Sequence, residues 1–156
     1  MRLLGRIVSS VHKQWAAGTP EVVVETLDNR FVLVLTRILV TLPYLYAGPQ
    51  KLLFWQAGIV EMHLAGLNPS WLFNLAALFT ELVGSLSVIL NCKIWLGAGA
   101  LGAFTLLTTF IAHRFRDFRG VARINEINSF LEHATTCAAF ILITVRSICD
   151  QERGVG

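Results

Sequence analysis

Apolar residues in this chain do not alternate with polar ones over short windows. They run on, in four stretches at residues 31–54, 71–90, 94–113 and 130–149. About 20 apolar residues in a row cross a bilayer as a helix. The spacing therefore predicts an all-α transmembrane four-helix bundle. Residues 1–18 differ: Leu4, Ile7, Val8, Val11 and Trp15 recur at helical spacing, and Arg2, Arg6, His12 and Lys13 lie mainly off that stripe. This pattern predicts an amphipathic helix lying in the membrane interface. It lacks the long apolar core and small-residue cleavage site of a secretory signal. The expected organisation is an interfacial segment over 1–30, a membrane domain over 31–149 and a polar tail over 150–156.

Local signals refine the elements. Thr19-Pro20-Glu21 starts a short helix running to Leu27, and Asp28 or Asn29 caps the first membrane helix. Pro43 and Pro49 each remove a backbone donor within that helix, which predicts a bend around 47–51. A short amphipathic helix is expected around 57–64. Asn91-Cys92-Lys93 forms a tight turn. Arg114, Arg116, Arg119 and Arg123 crowd the connection over 114–127.

Composition agrees with a membrane setting. The hydrophobic fraction is 54% and the charged fraction 15%, against about a quarter charged in a soluble domain. The net charge of +3 comes from basic residues beside apolar runs, which fits anionic headgroups and not nucleic acid. The three cysteines form no C-x-x-C pair, so no dithiol or zinc motif is present. An even number of spans puts both termini on one side. Basic residues flank both sides, and the expected orientation places the termini in the cytoplasm.

Polar residues inside the apolar stretches carry the functional signal. Arg37, Thr41, Tyr44, Gly48 and Lys51 follow helical steps along one face of the first span. Asn74, Ala77, Glu81, Gly84, Val88 and Asn91 do so on the second, and Gly102, Leu106, Thr109 and His113 on the third. Small and polar residues sharing a stripe mark the inward face of a membrane bundle. Glu81 falls mid-span. Arg37 lies about 9 Å from the terminal face at 1.5 Å per residue, and its guanidinium could reach toward Glu81 or snorkel to headgroups. Arg37 and Glu81 are accordingly expected to form either a proton relay or an ion pair that sets helix register. Lys51, His113, Glu132 and His133 fall near the opposite face, where Lys51 and His113 should line one cavity with Tyr44. The spacing of the histidines and glutamate matches no recognised metal motif. Glu132 and His133, being adjacent, point about 100° apart on a helix.

Arg37, Gly48-Pro49-Gln50-Lys51, Glu81 followed by Gly84, and His113 closing the third span together resemble the DoxX family over roughly residues 31–146. The turn Asn91-Cys92-Lys93 and Phe130-Leu131-Glu132-His133 depart from the family's glycine–arginine turn and Lys-Asn pair. The resemblance implies a four-helix membrane bundle. Some DoxX-like proteins are the membrane subunit of thiosulfate:quinone oxidoreductase, some are linked to soluble redox enzymes, and distant relatives assist membrane-protein assembly. The leading expectation is a quinone-interacting subunit of a bacterial inner membrane, with Tyr44, Lys51, His113 and His133 as ligand-binding donors. The chain carries no haem, flavin, dithiol or iron–sulfur motif, so electrons would come from a soluble redox partner. A non-catalytic scaffold or assembly factor is the alternative. A small transporter is a third reading, and with only four helices it would call for a homo-oligomer.

Overall fold

The computed structural model describes residues 18–112 and 119–152, and every regular element among them is helical. The helices are α1 (Glu21–Asp28), α2 (Arg30–Leu53), α3 (Trp55–Leu64), α4 (Ser70–Ile89), α5 (Ile94–Ala112) and α6 (Gly120–Glu152). Among the described residues, α2, α4, α5 and α6 are long and apolar enough to cross a membrane. They form the expected all-α bundle. The amphipathic helix assigned to 1–18 lies, but for its last residue, outside the described residues.

Local chemistry sets the helix limits. Asn29 caps α2: its Oδ1 accepts from the Phe31 N–H at 2.8 Å, satisfying one of the orphan donors of a helix start. α2 continues as helix through Pro43 and Pro49, so the chain does not break at 47–51, and the break comes later. It falls at Phe54, whose φ of −112° and ψ of 52° leave the helical region. The physical reason is that Pro49 sits on the exposed side, while the inward side is held by packing. A Cβ on Gly48 would stand 2.7 Å from Leu82. α4 and α5 are joined by a turn in which Asn91 (φ 57°) and Lys93 (φ 48°) both adopt left-handed backbone, a conformation Asn tolerates better than Lys.

α6 begins ten residues before the apolar stretch at 130–149 and spans 33 residues. The stretch 120–129 contains no proline, so nothing interrupts the helix there. Hydropathy marks where lipid is tolerated, whereas helix formation requires only backbone pairing, and the two limits differ here.

α4 is the central helix. It packs against α2, α5 and α3, while α6 packs on α5 and touches α2 over a smaller area. The core is Tyr44, Val88, Ile94, Ala98, Leu101 and Phe140, with the Tyr44 and Phe140 rings 5.8 Å apart and tilted by 43°. Large apolar side chains such as Leu39, Phe79, Leu107 and Leu142 face outward. This inversion is what lipid as solvent allows, since helix association there rests on close packing of small residues and on polar contacts.

A buried polar chamber

The inward stripes of α2 and α4 follow the expected registers. Thr41, Tyr44 and Gly48 are buried on α2, as are Asn74, Ala77, Glu81, Gly84 and Val88 on α4; Asn91 is exposed in the turn. The stripe on α5 holds at Thr109 and requires correction at Leu106. Its inward face is Ile94, Ala98, Leu101, Thr105 and Thr109, whereas Leu106 is 49% exposed. Small, apolar and hydroxyl residues are spread around α5, so periodicity alone gives no preferred side. The choice is made by partners: Leu101 covers Gly84, and Thr105 Oγ1 meets the Tyr44 hydroxyl.

Glu81 is the most deeply buried charged side chain among the described residues, 2% exposed. Its partner is Lys51, with Nζ 2.8 Å from Oε1. It is not Arg37, and that expected pairing is corrected. Arg37 lies fourteen residues before Lys51 on the same helix, about 21 Å along the axis. Its electrostatic neighbours are Asp150 and Arg146 of α6. There Arg146 Nε bonds Asp150 at 3.0 Å and its Nη2 bonds Asp28, which ties the end of α1 to α6. The register that brings Lys51 to mid-α4 comes from α3. This helix packs on the first half of α4, where a Cβ on Gly58 would run into the Asn74 amide. The end of α2 is thereby matched to the middle of α4.

Around this ion pair, all five helices from α2 to α6 line a half-open cavity of about 330 Å³. Tyr44 and Lys51 line it from α2, Glu61 from α3, Glu81 from α4, Thr105 from α5, and Glu132 and His133 from α6. His133 Nδ1 lies 2.8 Å from Thr109 Oγ1. Four of the six expected site residues, Tyr44, Lys51, Glu81 and His133, thus share one chamber. Arg37 lies apart from it, and His113 lies outside the described residues. Glu132 and His133 both reach the chamber despite their divergent directions, because the cavity is wider than a single helix stripe.

Among the described residues, two buried polar groups lack partners. Glu81 Oε2 and both polar atoms of the Asn74 amide form no hydrogen bond. Buried polar groups are nearly always satisfied, and a carboxylate oxygen left bare inside a bundle is costly unless something else meets it. Since Glu81 lines the cavity, a bound water or ligand polar group is the natural partner for Oε2. Glu61 was missed from sequence. The available signal was a carboxylate inside a mostly apolar ten-residue helix, WQAGIVEMHL.

The Tyr44–Thr105 contact offers a simple check. Tyr44→Phe should lower stability only by about 0.5–1.5 kcal/mol, because Thr105 keeps its bond to the Leu101 carbonyl at 2.7 Å and the ring keeps Phe140. A thermal melt in detergent measures this, and a collapse of the fold would show that the hydroxyl matters far more than one hydrogen bond.

No curated protein and no solved structure matches the chain. A family model, DoxX, matches residues 32–114, the segment that carries Lys51, Glu81 and the helices that pair them. The match covers more than half of the chain and three of its four apolar spans, and the chain is an integral membrane protein belonging to the DoxX family.

Proposed function

We propose that the chamber binds the headgroup of a membrane quinone and that the protein is the membrane subunit of a redox complex whose electrons come from a separate soluble partner. The single observation carrying this reading is Glu81, buried, bonded to Lys51 through one oxygen and bare at the other, at the wall of a cavity. A quinone presents two carbonyl acceptors and, on reduction, takes up two protons with two electrons. Lys51 Nζ and the Tyr44 hydroxyl are donors of the right kind for one carbonyl, and the His133 imidazole for the other. Glu81 is placed to hold a proton beside the ligand, and Glu61 and Glu132, both exposed, can collect protons at the rim. The cavity volume lies at the lower end of the 300–1,000 Å³ typical of small-molecule sites, enough for a single ring. In this reading the protein sits in a bacterial inner membrane, with its termini in the cytoplasm.

The test is binding of a quinone analogue to purified protein in nanodiscs. Wild type should bind, Lys51→Ala should weaken binding at least tenfold, and Glu81→Gln should retain binding while blocking any proton-coupled turnover. Equal binding by wild type and Lys51→Ala would remove the headgroup site. Full turnover by Glu81→Gln would remove the proton role.

A further inference from the structure

A second cavity, of about 450 Å³, lies beside the chamber between α3, α4 and α5. Its character is different. Apart from Glu61, Thr80 and Thr108 it is lined by apolar side chains, among them Phe73, Ala103 and Leu107. Leu107 is 58% exposed and Phe73 39%, and both belong to helices that cross the membrane. The groove therefore faces lipid rather than water. Four residues, Glu61, Met62, Phe104 and Thr108, line both spaces. Met62 and Phe104 form the apolar part of this shared wall. Met is unbranched and adaptable in packing, so the wall can yield to a chain passing between the two spaces.

We propose that the groove between α4 and α5, roofed by α3, holds the aliphatic tail of the same amphiphile whose polar head occupies the chamber, so that the ligand arrives sideways from the bilayer. This rests on the headgroup reading for the identity of the head, but not for the presence of the tail. The argument is continuity. A cavity inside a membrane bundle needs a route for its ligand, and among the described residues the groove that shares its wall is apolar and open to lipid. A water-soluble ligand would gain nothing from such a neighbour. A single-tailed amphiphile matches both halves at once. The small side chains of Ala76, Ala100 and Ala103 leave the room that the tail fills.

Two photoreactive probes in phospholipid nanodiscs test this: a benzoquinone carrying an isoprenoid tail with a diazirine, and the same tail ending in an alcohol. Both should label the groove side chains of α4 and α5, at several times the yield on outward positions such as Leu35 and Leu39 of α2. Ala103 is exposed, so Ala103→Trp should insert normally, fill the groove and reduce that labelling by at least tenfold; Ala100→Phe serves as a second plug. Groove labelling no greater than on α2, or labelling unchanged by both plugs, would mean that ordinary acyl chains brush this face, and the proposal would fall. If the alcohol displaces the quinone probe at equal concentration, the tail site stands and the quinone reading of the chamber falls.

Discussion

Lys51→Met should destabilise the bundle by about 3–5 kcal/mol, the usual effect of removing one partner of a buried ion pair. Methionine replaces the aliphatic stem but leaves Glu81 with both carboxylate oxygens unmet, at 3% side-chain exposure. Glu81→Gln should be milder, since an amide retains hydrogen-bonding capacity without a buried charge. Lys51→Met combined with Glu81→Leu should recover most of the loss, because no charge then remains to be desolvated. Residues in direct contact are expected to be non-additive in this way. Thermal or denaturant unfolding in detergent gives the values, and strictly additive effects in the double variant would show that the two side chains are not energetically paired. The same variants separate structure from chemistry. If the double variant is stable but no longer binds the quinone analogue, the pair serves the ligand; if the wild type binds none, the pair is a register lock.

Gly97→Val should be the most damaging glycine change, at or above the usual 1–3 kcal/mol of overpacking. A Cβ at Gly97 would stand 2.8 Å from the carbonyl oxygen of Gly84 and 2.8 Å from Ser87 Cβ. A backbone carbonyl cannot rotate away, so α5 would have to move off α4. That displacement would disturb Leu101, which packs over Gly84, and Thr105 one turn further along. The chamber wall would then move with them. Gly99 is the control: a Cβ there meets nothing within 4 Å, and Gly99→Ala should be neutral or gain up to about 1 kcal/mol from helix propensity. Equal melting temperatures for Gly97→Val and Gly99→Ala would contradict the close helix approach.

Much of the site was legible because polar residues are scarce in an apolar chain. When lipid is the solvent, a Lys, Glu or Tyr at helical spacing with Gly and Thr has one favourable direction, inward. The α2 and α4 stripes were therefore readable from spacing, and so was the inward direction of Tyr44, Lys51 and Glu81; His133 was readable only as lying near the same membrane face as Lys51. α5 was not readable beyond Thr109, because Gly102 and Leu106 are chemically no more inward than Leu101 and Thr105. Only contact with Gly84 and Tyr44 breaks that tie.

Pairing was the other limit. Spacing along one helix says nothing about the axial offset between two helices, and that offset decides whether Glu81 meets Arg37 or Lys51. The offset depends on the Phe54 bend, on α3 folding back, and on Gly58 admitting the Asn74 side chain. None of these is a periodic signal.

The sequence by itself determined the solvent and the class: four spans, an all-α bundle, and a polar interior gathered on defined faces. Burying apolar residues in lipid and hiding polar ones from it are local requirements, met residue by residue. The tertiary structure alone decided which charges neutralise each other, which face of α5 closes the core, and that a polar chamber and an apolar groove share one wall. Those are properties of the relative translation and rotation of helices, set by many small contacts acting together, and no stretch of the chain encodes them alone.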